Sequence, residues 1–152
     1  MRIISVIIPL FEYAGIDEVL ASLFRSTGCV FEVVVIDNSE RPERARLMAE
    51  KIARFPQVRY YRQERNLGVT RGRNAGFAVA DPASDYILFL DHDVSVRADC
   101  LESLVADFEA IAAREPIGIL TGKVLYKSAP GEVWAAGTDI GMKGADFGLR
   151  TA

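Results

Sequence analysis

The chain has 152 residues, a net charge of -3 and an apolar half, a balance that fits one soluble α/β-sized domain. The acidic balance gives no electrostatic case for nucleic acid, and two scattered cysteines, Cys29 and Cys100, exclude a disulfide framework or a zinc site. No apolar run approaches a membrane span and no signal-peptide layout is visible. The expectation is therefore a cytoplasmic protein, associated with the inner face of the membrane only through parts outside this chain.

In chain order, the β-branched run "IISVIIP" from Ile3 to Pro9 reads as a strand buried on both faces. Ile16, Val19, Leu20, Leu23 and Phe24 follow at helical spacing. A second buried strand, Phe31 to Asp37, leads to a charged helix whose apolar side carries Ala45, Met48, Ala49 and Ile52. "VRYYR", Val58 to Arg62, has the more polar alternation of a strand nearer the sheet edge. A glycine-bearing loop leads to a small-residue helix, "RGRNAGFAVA", and "YILFL" gives a fourth strand. The clearest helix carries Leu101, Leu104, Val105, Phe108 and Ile111, with Asp99 as its expected N-cap and Glu102 three residues on. Gly118–Lys127 and "EVWAAG" read as further strands, and beyond Gly137 the pattern is glycine-rich and aperiodic.

Strands alternating with helices predict an α/β fold with an open, mainly parallel sheet and helices on both faces. Residues 1–152 read as one domain, incomplete at its C-terminus. An incomplete sheet leaves an edge free, which predicts pairing with a second copy near Gly118–Gly137.

Open sheets of this kind bind ligands beyond the carboxyl ends of their strands. Pro9, Phe11 and Glu12 follow the first strand; Asp37, Asn38 and Ser39 close the second; Asn66 and Gly68 follow the third; Asp91 and Asp93 follow the fourth. Any one of these carboxylates could simply cap a neighbouring helix, but several at one rim point to a site. If "DHD" stays extended, Asp91 and Asp93 share one face and His92 points away, packed or solvated rather than ligating. Two close carboxylates repel unless a cation lies between them, and oxygen donors suit Mg²⁺ or Mn²⁺. The competing reading is a local turn in which both bond nearby backbone.

Phosphate would complete such a cation's shell. The "NLGVTRGRNAG" segment offers Gly68 and Gly72 for close backbone approach, a helix N-terminus for an anion, and Arg73, favoured over Arg71, for charge. An ordinary arginine-rich helix start is the alternative. The segment is neither a P-loop nor a dinucleotide fingerprint.

With these pieces in this order, "VIIPLFEY", "VVVIDNS", "NLGVTRGRNAG" and "LDHD", the chain resembles the N-terminal part of family 2 glycosyltransferases of GT-A fold. It is similar in particular to rhamnosyltransferase-like members that build cell-surface polysaccharide. The resemblance implies a UDP- or dTDP-sugar donor, Mg²⁺ or Mn²⁺, a saccharide or lipid-linked acceptor and transfer with inversion. It implies that Pro9, Phe11 and Glu12 surround base and ribose, that Asp37 accepts from the ring N3–H, that Asp91 lies near ribose and metal, and that Asp93 binds the cation. Phe11 and Glu12 stand where the family often has tyrosine and asparagine. The family's later acidic motif, which supplies the catalytic base, has no match; Asp139 and Asp146 lie in that direction in a different context. A nucleotide-binding or interaction module without catalysis is the alternative reading. A phospho-receiver-like switch is a weaker third, since only Glu12 stands where an acidic pair would be needed.

Overall fold

The computed structural model describes residues 2–140 and 147–149, without the side chains of 138–140 and 147–149. They fall into two compact units, Met1–Glu102 and Ser103–Ala152.

The first unit is built on four strands: β1 (Ile3–Leu10), β2 (Val30–Asp37), β3 (Val58–Arg62) and β4 (Tyr86–Phe89). Their order is β3-β2-β1-β4, and every neighbouring pair is parallel. Helices α1 (Ile16–Leu23), α2 (Pro42–Ile52) and α3 (Gly68–Val79) make the crossovers, so the α/β reading of the sequence holds. β1 lies at the centre, and Val6, Ile7, Ile8 and Leu10 are wholly buried against Val33, Val34, Val35 and Ile36 of β2. This is why both strands are nearly continuous β-branched runs.

Side chains alternate across the sheet, and the pair register keeps Ile7, Pro9, Val34 and Ile36 on one face. Helix α3 packs on that face against β1 and β2. It comes close because its contact positions are glycines. A Cβ on Gly76 would collide with Ile7, and one on Gly72 would sit 2.9 Å from Asn38 Nδ2 and 3.3 Å from Pro9 Cβ.

At the amino end of the strands the polar groups pair with one another. Glu32 accepts from the Ser5 hydroxyl at 2.6 Å, the Asp81 N–H at 2.5 Å and Arg59 at 2.7 Å. Ser5 also meets Ser84 at 2.7 Å, and Asp85 accepts from the Ile3 N–H at 2.8 Å and from Arg2 at 2.9 Å. One carboxylate thereby ties three strands to the loop before β4.

α4 (Cys100–Ala112) runs across the boundary between the units. Asp99, expected as its cap, has its carboxylate taken by Arg97 at 3.1 and 2.8 Å. In the second unit β5 (Val124–Tyr126) and β6 (Ala129–Ala135) form an antiparallel ribbon, and β7 (Thr138–Ile140) pairs with β8 (Phe147–Leu149). The strand expected over Gly118–Lys127 is thus only three residues long, and its partner is β6 and not the parallel sheet. A turn closes this pair within four residues, a local contact that periodicity does not reveal. Among the described residues, the outer strands of the four-stranded sheet are β3 and β4.

Burial acts to raise the Glu32 pKa, but hydrogen bonds from Ser5, Asp81 and Arg59 outweigh it and hold the carboxyl below its ordinary value. A depressed value means that the stabilisation is present above the unfolded-state pKa and is lost as pH falls through the folded one. Glu32→Gln is therefore expected to lower the urea midpoint at pH 7 and to flatten its decline on the acid side. Wild-type and variant curves converging at neutral pH would contradict this.

Candidate functional site

Parallel pairing sets the carboxyl ends of β2, β1 and β4 side by side, with Leu10 opposite Asp37 and Ile7 opposite Phe89. Beyond these ends lies a cleft of about 400 Å³ lined by Pro9, Leu10, Phe11, Asn38, Asn66, Gly68, Val69, Asp91, His92 and Asp93. Six of the expected site residues line it: Pro9, Phe11, Asn66, Gly68, Asp91 and Asp93. Glu12, Asp37 and Arg73 do not.

Asp37 ends β2 facing away from α3. It is fully buried; one oxygen accepts from the Ser39 N–H at 2.8 Å, and the other from the Tyr60 hydroxyl at 2.5 Å. Burial, then the Asp37 bond, push the Tyr60 phenol far up, so it stays the donor. The family resemblance implies a base-edge contact for Asp37; here its side chain lies beneath the rim with both oxygens bonded. One residue on, alternation turns Asn38 into the cleft, and only 3% of it is exposed. Its Oδ1 accepts from the Leu67 N–H at 3.3 Å, which fixes the start of α3. From the sequence Asn38 reads only as a strand end. The signal available was its parity, opposite to that of Asp37.

Glu12 has φ +48, a left-handed conformation rare outside glycine, asparagine and aspartate. The backbone turns there because Ser39 holds the Glu12 N–H at 3.2 Å while Arg41 binds its carboxylate through side chain and backbone. The Arg41 bonds outweigh desolvation and lower the Glu12 pKa. Glu12 therefore braces the loop after β1 from outside, which leaves Phe11, 43% exposed, at the cleft.

The segment Asp91–His92–Asp93 is not extended. A turn is closed by the Val94 N–H bonding the Asp91 carbonyl at 3.3 Å. The expectation that His92 points away is overturned, because all three residues line the same cleft. His92 Nδ1 lies 3.0 Å from the Pro9 carbonyl oxygen and its ring 5.4 Å from that of Tyr13, so the imidazole is held against the β1 loop. Asp91 and Asp93 are both exposed. Asp91 accepts from Arg73 at 2.8 Å; no bond or ion pair among the described residues takes up the Asp93 carboxylate.

The opposite wall is the start of α3. Gly68 has φ +72, and its N–H bonds Asn66 Oδ1 at 2.8 Å, a turn that needs glycine and aims the helix N-terminus at the cleft. No group of three or more His, Cys, Asp or Glu converges among the described residues. A metal site closed by protein ligands is therefore not built there. Two exposed carboxylates facing a helix N-terminus do fit a hard cation that completes its shell with phosphate oxygens and water. Asp146 and the Asp139 side chain lie outside the described residues.

Glycosyl transferase family 2 matches the chain over residues 5–122. The chain belongs to that family. No characterised protein sequence matches it significantly. Among solved structures, residues 1–349 of S. aureus TarS superpose with a TM-score of 0.59 at 24% identity, over 80% of this chain and 39% of that one. TarS in complex with UDP-GlcNAc gives 0.59 at 22% identity, over 85% and 42%. The mannosyltransferase PcManGT from Pyrobaculum calidifontis, in complex with GDP-Man and Mn²⁺, gives 0.59 at 18% identity, over 67% and 31%. These likenesses establish the shared α/β fold; the chain spans about two fifths of TarS residues 1–349. No helix among the described residues is long and apolar enough to cross a membrane.

Tyr60→Phe is expected to cost about 1–3 kcal/mol in urea unfolding, because it strips a donor from a carboxylate with no access to water. An unchanged midpoint would show that the Asp37 bond contributes nothing.

Proposed function

We propose that the cleft binds the nucleoside diphosphate of a sugar donor, UDP- or dTDP-linked, with Mg²⁺ or Mn²⁺ held by Asp93 and Asp91. The observation that carries the reading is the juxtaposition of two exposed carboxylates with the N-terminus of α3 in one cleft. Carboxylates alone repel a diphosphate; only with a cation between them does the pair become an attractive wall. The likeness to structures that contain UDP-GlcNAc, or GDP-Man and Mn²⁺, supports the same choice of ligand.

The chain's own residues then divide the work. Phe11, Pro9 and Asn38 form the side of the cleft suited to a base and ribose, with an apolar ring and an amide. At the head of α3, Gly68 lets the backbone come close and Val69 offers its N–H, with the positive end of the helix, to phosphate. A bound divalent cation would neutralise charge developing on the departing diphosphate. Transfer of the sugar to a saccharide or lipid-linked acceptor, with inversion, needs a carboxylate opposite the leaving group to take the hydroxyl proton. The only carboxylates lining the cleft among the described residues are Asp91 and Asp93. That same observation favours the second reading, a nucleotide-binding module that does not itself catalyse transfer. A role in cell-surface polysaccharide synthesis rests on the family resemblance.

Calorimetric titration of UDP and dTDP, with and without Mn²⁺, tests the proposal. Binding is expected to require the ion and to weaken by about tenfold or more in Asp93→Ala, a loss of about 1.4 kcal/mol or more. Affinity indifferent to both ion and substitution would refute it.

A further inference from the structure

We propose that Arg73 is a positioning residue for the acidic turn, holding Asp91 by one oxygen so that the carboxylate is oriented for a divalent cation. This rests on the cation–diphosphate reading of the cleft. Arg73 was expected to add positive charge to the phosphate site directly. Its place is different: it does not line the cleft. It rises from the α3 side of the sheet, where the register also puts Phe89, opposite Ile7. Its guanidinium carbon lies 5.8 Å from the centre of the Phe89 ring, and one terminal nitrogen donates to Asp91 Oδ1 at 2.8 Å.

Three features argue for orientation over simple stabilisation. A guanidinium lying against a ring has few alternative rotamers, so its bond fixes the direction of the carboxylate as well as its charge. The contact is made by a residue that does not line the cleft, and it neutralises one of two carboxylates that would otherwise repel before a cation arrives. Arg73 Nε is also buried without a hydrogen-bond partner, a geometry that costs stability. Carboxylates that bind metals are commonly held by such outer partners, whose loss weakens metal affinity by about 10–100-fold.

The separating experiment uses Arg73→Met and Arg73→Lys in the whole 152-residue chain. Mn²⁺ binding is followed by electron paramagnetic resonance at saturating UDP, UDP binding without metal by calorimetry, and folding by urea denaturation. Arg73→Met removes both the ion pair and the unpaired donor. It is expected to weaken Mn²⁺ binding by about 10–100-fold, to confine the loss to the metal-dependent part of UDP affinity, and to leave the urea midpoint unchanged or higher. Arg73→Lys keeps the charge without the planar fork, so a loss smaller than that of Arg73→Met is expected. Mn²⁺ affinity unchanged in both variants overturns the assignment. So does an equal loss of metal-free UDP affinity, which would make Arg73 a direct nucleotide contact, or a fall in stability that accounts for the whole effect. Wild-type binding of UDP indifferent to Mn²⁺ overturns the functional reading, and the Arg73 role with it. Metal dependence in wild type with unaltered variants overturns the Arg73 role alone.

Discussion

The parallel register of β1 with its two neighbours governs everything at the site. With Leu10 opposite Asp37 and Ile7 opposite Phe89, the loops after β1, β2 and β4 must leave the sheet on the same side. Residues 9, 38 and 91 become neighbours through that pairing alone. Both faces of these strands are apolar and buried, so the register is fixed by packing on each face, as where Gly76 of α3 fits against Ile7. The same alternation divides adjacent residues at the rim: Asp37 goes under the sheet to Tyr60, whereas Asn38 goes to the cleft and to α3.

The two rims of the sheet use acidic residues in opposite ways. At the amino ends, Glu32 and Asp85 are saturated by hydroxyls, backbone N–H groups and arginines, and they lock strands together. At the carboxyl ends, Asp91 is half-engaged by Arg73 and Asp93 stands exposed beside the head of α3. A saturated carboxylate serves the fold; one with open lone pairs in a concave site serves a ligand. Composition makes the two clusters look alike. Only the count of donors around each oxygen separates them.

Four strands and four helices were readable because the β-branched runs and the helical spacings are unambiguous, and α3 differed only in starting at Gly68, before the small-residue run. What escaped were features decided by individual hydrogen bonds. The turn closed by Val94 and Asp91 defeated the alternation argument for His92. The left-handed backbone at Glu12 depends on Ser39 and Arg41, far along the chain and invisible to periodicity. The β5–β6 ribbon is another short-range pairing that a hydrophobic run cannot specify. At the site, the strand ends are legible in the sequence, but which face each end presents requires the pair register, which sends Asp37 under the sheet and Asn38 into the cleft.

The central claim is that a divalent ion and a nucleoside diphosphate share the carboxyl-end rim and no other acidic cluster. Backbone amide spectra of the ¹⁵N-labelled chain, recorded with UDP while Mn²⁺ is added, bear on it most directly, since the paramagnetic ion broadens only nearby resonances. Broadening centred on Asp91–Val94, with Asn38 and Gly68 next, is the predicted pattern. Broadening centred on Glu32, Asp81 and Asp85 at the opposite rim, or spread evenly over exposed carboxylates, would contradict the account.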